Sequence, residues 1–159
     1  MRELRSQTSP FAKYTAAGYF AFQFHMIGRL DDVAHFSHTD LTPHAEFDFA
    51  LKSKMCWSKN VLEERSAPSQ IVLGARDSSF CTLLGVAVHF EFCLLSGVVS
   101  EETSMFAASK NRIGNILKGI VEADNFPSSG SGTVGTHSIR KFPATYARNN
   151  GCDRDDVEA

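Results

Sequence analysis

The chain has 159 residues, 43% of them hydrophobic and 21% charged, which suits one domain with a real core and is too short for two. That balance excludes a disordered protein. The formal net charge of −2 neither marks nor excludes a nucleic-acid binder, because DNA affinity depends on where Lys and Arg cluster.

Residues 1–10 read as a disordered or flexible tail, and Met1 to Lys13 carries no targeting pattern. From Phe11 to Leu30, the spacing of Phe20, Phe24 and Ile27 predicts a helix, with Gly28, Asp31 and Asp32 near its end. Leu41 to Phe47 is expected to be a loop, since Thr42 and Pro43 break any pattern. Phe47, Phe49 and Leu51 then alternate with Asp48, Ala50 and Lys52, the period-two signature of a strand. This strand is expected to continue through Met55 and Trp57. Ser58, Lys59 and Asn60 supply turn chemistry, and Gln70 to Gly74 the return strand.

Leu83 to Val99 is the longest apolar stretch, interrupted by His89 and Glu91. A membrane span needs roughly 20 apolar residues, so the run predicts a buried helix from Phe80 to Leu95. Asp77 to Ser79 would cap it and Gly97 would stop it. Another helix is expected over Ser104 to Ala123, with Ile113, Ile116, Leu117 and Ile120 on one face. Phe126 to Gly135 is a Ser/Gly-rich loop, and without a following Gly-Lys-Ser/Thr it is no P-loop. Thr136 to Asn149 reads as the last helix, with Asn150-Gly151 as its stop. The layout is α+β, mainly helical with a small antiparallel hairpin, and residues 11–159 form one domain.

Cys56, Cys81, Cys93 and Cys152 show no C-x-x-C spacing and read as reduced thiols of an intracellular, non-secreted protein, with Cys81 and Cys93 in the core. His35 and His38 have a His-x-x-His spacing but lack further ligands, so a surface loop is expected rather than a metal site. His25 and His89 read as core or helix-face residues. Ser128 to Ser131 lacks the G-x-S-x-G setting of a hydrolase.

Basic residues gather in three places: Arg29; Lys52, Lys54 and Lys59 around the hairpin; and His137, Arg140 and Lys141 at the start of the last helix. His137 and Arg140 are three apart and share a helix face. Arginine offers a planar fork for two phosphate oxygens, and histidine exchanges a proton near neutral pH. A phosphodiester is a fitting substrate for that pair.

The wider text around these positions resembles a known family. G-T-H-S-I-R-K-F-P-A-T-Y-A-R-N-N-G (Gly135 to Gly151) resembles the second signature of tyrosine recombinases and phage integrases. I-G-R-L-D-D-V-A-H-F-S-H-T-D-L (Ile27 to Leu41) resembles the first, with Arg29 at its arginine, Asp32 at its acidic position and Thr39-Asp40-Leu41 at its close. W-S-K-N-V-L-E-E-R-S-A-P (Trp57 to Pro68) resembles the family's lysine-bearing hairpin, so Lys59 is the match and Lys54 the alternative. The wording is nearest to the recombinases of eukaryotic Crypton-like mobile elements.

The resemblance implies a mainly helical recombinase catalytic core acting on double-stranded DNA in recombination and integration. Location would be nuclear or otherwise intracellular. Arg29 and Arg140 would clamp the scissile phosphate, Lys59 would protonate the departing 5′ oxygen, His137 would assist proton transfer, and Asp32 would orient Arg29. A phosphotyrosyl intermediate conserves bond energy, so no metal or other cofactor is expected, and a full-length protein would assemble as a homo-oligomer on DNA.

In the family a His or Trp and then the nucleophilic Tyr lie farther beyond the second arginine than the 19 residues that follow Arg140 here. Tyr146 sits within the signature helix, while Tyr14 and Tyr19 lie upstream of the first signature. The expectation is therefore a truncated catalytic core that does not cleave DNA alone. The alternative is a non-catalytic DNA-binding remnant of a mobile element. The reading frame downstream of Ala159 separates the two. Two further departures are Pro143, expected to kink the last helix unless that helix starts later, and the missing N-terminal arm-binding domain.

Overall fold

The computed structural model describes residues 11–56, 69–97, 104–106, 108–123, 132 and 134–153. Among them it has five α-helices and one three-stranded antiparallel sheet, an α+β arrangement. The first helix, α1 (Phe11–Met26), is the axis of the domain. Residues from Thr15 to Gln23 are buried without interruption, so this helix is sheathed on every side rather than along one stripe.

α1 ends four residues before the expected Leu30. Ile27 takes a left-handed φ of 52°. The N–H of Ile27 then donates to the carbonyl of Phe24 (3.3 Å), and that of Gly28 to Gln23 (3.1 Å). This is a Schellman motif with a β-branched residue where glycine is the usual choice. A short helix, α2 (Leu30–Ala34), follows with Arg29 at its N-cap. A 3-10 turn spans His38–Asp40, where the N–H of Ser37 donates to Asp40 Oδ2 at 2.8 Å.

The sheet runs in the order β1 (Leu41–Pro43), β2 (Ala50–Lys54), β3 (Ser69–Leu73). Leu41 to Pro43 is therefore a strand and not a loop. Its place at the sheet edge explains why Pro43, which has no N–H to donate, is tolerated. β2 starts at Ala50 rather than Phe47, leaving Phe47 and Phe49 exposed. Ser53 pairs with Gln70 and Ala50 with Leu73, and the return strand falls where the sequence predicts it.

α3 (Thr82–Leu95) begins two residues later than expected, because the Sγ of Cys81 accepts the N–H of Leu84 (3.4 Å). Asp77 instead closes its own turn by accepting the Ser79 N–H (2.9 Å) and hydroxyl (2.6 Å). Gly97 ends the segment at φ 64°. The helix is only partly buried: Val86, His89 and Cys93 face the core, while Leu84, Phe92, Leu94 and Leu95 are exposed. Of the two cysteines expected in the core, Cys93 is buried and Cys81 only partly so.

α4 (Lys110–Val121) starts six residues later than expected, capped by Ser109. Met105 and Phe106 leave the helical register and enter the core instead. α5 (Thr136–Asn149) has the predicted bounds and runs through Pro143, which is buried. No later start is seen. The N–H that Pro143 lacks would have donated to the carbonyl of Ile139, so the helix forgoes that one bond.

The core joins Tyr19, Phe20, Phe22 and Met26 of α1 to Val33 of α2, Phe36, Phe106 and Ile113 of α4. α5 packs on α1 through Phe24 and Phe142, whose ring centroids lie 6.0 Å apart. Between α1, α4 and α5 remains an apolar groove of about 710 Å³, bordered by Phe24, Leu117, Ile120, Ile139 and Phe142. No helix among the described residues is long and apolar enough to cross a membrane.

α5 ends on the same motif as α1, with the N–H of Gly151 donating to Arg148 (3.2 Å) and that of Cys152 to Ala147 (3.1 Å). Here the left-handed position is glycine, at φ 92°. A Cβ there meets no atom within 4 Å, so Gly151→Ala tests backbone strain alone. It is expected to cost about 1 kcal/mol in urea denaturation. An unchanged midpoint would mean that this helix end is frayed in solution.

Candidate functional site

Four elements meet at the C-terminal end of α1. Gln23, fully buried, donates through Nε2 to the carbonyl of Thr136, the first residue of α5 (3.3 Å). The Met26 carbonyl accepts from Gln70 Nε2 of β3 (3.4 Å), and its Sδ accepts from Ser53 Oγ of β2 (3.4 Å). The Tyr19 hydroxyl donates to the carbonyl of Leu30, which fixes α2 against α1. Burial of that phenol, reinforced by the charges of Asp31 and Asp32, pushes its pKa well above the ordinary tyrosine value. At Gly28 a Cβ would lie 3.2 Å from Val33 Cγ2 and 3.4 Å from Met55 Cε. The turn is thus wedged between α2 and the exit of β2.

Arg29 leaves this packed turn half-buried. Its backbone N–H donates to Asp32 Oδ2 (3.0 Å), a carboxylate closing the first turn of its own helix. Its Nη1 is buried and has no hydrogen-bond partner among the described residues, and the same holds for Asp32 Oδ1. Burial pushes the Asp32 carboxyl above the usual carboxylate range. The Arg29 N–H and the charges of Arg29 and Arg140 pull it back, and Asp31 adds to the rise.

Arg140, half-buried on α5, therefore acts on the same carboxylate as Arg29, although 111 residues separate the two. His137 stands three residues before Arg140 on α5 and is exposed. Asp31 does not neutralise Arg29 through a salt bridge of its own. It pairs instead with Lys110 of α4 at 3.0 Å. The charges of two arginines thus act on one carboxylate, and Nη1 of Arg29 has no partner among the described residues. An oxyanion suits both.

Arg29 and Asp32 therefore share one turn, the charge of Arg140 is felt at the Asp32 carboxyl, and His137 shares the helix face of Arg140. Lys59 lies outside the described residues, as do Trp57 and most of the Ser/Gly-rich segment. Lys54, the alternative, is the last residue of β2, beside the Met55 that packs near Gly28. Gln23 and Tyr19 hold the site together, and neither stood out in the sequence. The usable signal was a glutamine inside an apolar helix, since a buried amide needs a partner. His35 is exposed and His38 half-exposed, and no cluster of three metal-ligating side chains occurs among the described residues. His89 is a core residue, as expected. No protein-family model matches the chain, and neither does any curated protein.

Proposed function

We propose that this chain is the phosphate-gripping part of a tyrosine recombinase catalytic core, a DNA-binding fragment acting in recombination and integration by phosphodiester transesterification. What supports the reading most is the shared neighbourhood of Arg29 and Arg140 around Asp32. Those are the two arginines that the resemblance singles out, and they come from opposite ends of the chain.

In this reading the two guanidinium groups hold the non-bridging oxygens of the scissile phosphate and stabilise the charge that builds there in the transition state. Asp32 orients Arg29 through the turn they share. His137 moves a proton at the attacking oxygen, and Lys59, or Lys54 in its place, protonates the departing 5′ oxygen. Strand cleavage belongs to a chain that also carries the family's tyrosine. A homo-oligomer on DNA and a nuclear location are part of the same proposal.

The test is the salt dependence of binding to a double-stranded oligonucleotide, followed by fluorescence anisotropy. Arg140→Ala is expected to weaken binding and to lower the slope of log K against log salt by about 0.9, the value for one lost phosphate contact. Arg140→Lys should restore most of the slope but not all the affinity, since an ammonium cannot reproduce the fork. An unchanged slope in Arg140→Ala would overturn the proposed contact.

A further inference from the structure

α1 is buried without a break from Thr15 to Gln23, surroundings that suit a leucine at position 23. The chain places an amide there instead, and it is fully buried. Its Oε1 has no hydrogen-bond partner among the described residues. Burying an amide with half its bonding capacity unmet is destabilising, and a residue that breaks a local rule in this way points to function.

The half that is met shows what the amide holds. Gln23 Nε2 donates to the carbonyl of Thr136 at 3.3 Å. Thr136 is the first residue of α5. In an α-helix that carbonyl also accepts the N–H of the residue four positions on, which is Arg140. At its other end Gln23 accepts, through its own backbone carbonyl, the N–H of Gly28 at 3.1 Å. Gly28 directly precedes Arg29. One residue therefore grips both the turn that leads into Arg29 and the carbonyl that anchors the backbone of Arg140.

We infer that Gln23 is a positioning residue that sets the spacing of Arg29 and Arg140 so that both reach one phosphate, a role that rests on the phosphate-gripping function proposed above. Without the amide, α5 still packs on α1 through apolar contacts such as Phe24 with Phe142. Those contacts are non-directional, whereas a hydrogen bond fixes where the first turn of α5 sits.

The experiment measures the urea midpoint and the affinity for a double-stranded oligonucleotide, by fluorescence anisotropy, on the full 159-residue chain. Gln23→Met keeps the unbranched shape and removes the donor, and Gln23→Leu removes it with a different shape. Both are expected to leave the midpoint unchanged or to raise it, because Thr136 keeps its helical partner and an unmet buried oxygen disappears. Both should weaken DNA binding about fivefold, the scale of one lost hydrogen bond. In an Arg140→Ala background, Gln23→Met should add nothing, since the group it positions is gone. Native affinity in Gln23→Met, a midpoint that falls in step with affinity, or an equal further loss in the Arg140→Ala background would overturn the positioning role and leave the Arg140 contact standing. Unchanged binding in Arg140→Ala itself would overturn the phosphate grip and the positioning role together.

Discussion

Phe106→Ala is expected to lower the unfolding free energy by about 3–5 kcal/mol, the range for deleting a buried aromatic ring. Phe106 is 2% exposed. Its ring centroid lies 5.2 Å from that of Tyr19, 5.1 Å from that of His89 and 5.9 Å from that of Phe22. It joins α1 to α3 from a stretch that is not itself helical. The cost should fall toward the upper end because the hole cannot easily collapse. The adjacent Met105 is pinned on both sides, its N–H donating to the Phe36 carbonyl at 2.7 Å and its carbonyl accepting from His89. Urea denaturation measures the change, and an unaltered m-value would confirm that the native state is what lost stability. A loss under about 1 kcal/mol would show that this segment relaxes freely and that the ring is not the joint described here.

Acid is expected to destabilise the fold through His89. Burial holds the imidazole below the ordinary histidine pKa, with the bond to the Met105 carbonyl acting in the opposite direction. The unfolded chain takes up a proton as the pH falls through about 6.5, while the folded chain does not. Stability is therefore fully present above that value and is lost toward the folded pKa, at up to about 1.4 kcal/mol per pH unit. Asp32 works the other way. Its raised carboxyl keeps a proton that the unfolded chain has released, so stability is regained as the pH falls through its folded value toward about 4. Comparison with His89→Gln, which keeps an N–H donor but does not titrate, isolates the histidine. The stability of the native chain relative to this variant should shrink between about pH 7.5 and 5.5. A difference independent of pH would remove His89 as the cause.

Local signals were legible where nothing distant competed with them. Asn150-Gly151 stops α5 because glycine takes the left-handed position cheaply, and both ends of that helix could be read from the sequence. Ile27 occupies the equivalent position after α1 against its own preference, so the helix end there was hidden. Only the surrounding packing compensates for a β-branched residue at positive φ. Met105 and Phe106 fit a helical pattern as well as a core-filling turn, and the choice is made by α1 and α3, which are distant in sequence. The apolar run from Leu83 predicts burial by composition, whereas the described fold covers only one side of that helix. At the site, Arg29, His137 and Arg140 could be named from local text. So could the link between Arg29 and Asp32, three residues on; the effect of Arg140 on that carboxyl and the role of Gln23 could not, since both depend on how α5 meets α1.

The bond from Gln23 to the Thr136 carbonyl spans 113 residues, and its consequence lies in the order of assembly. Contacts between distant parts of a chain form slowly, because loop closure must precede any gain from the contact. During synthesis the N-terminal elements leave the ribosome first. α1 and Arg29 therefore emerge long before Arg140. Until the last helix arrives, a nascent chain presents an amide with nothing to hold and the uncovered ring of Phe24. The interval before α5 docks is when this protein is most exposed to misassociation with its neighbours.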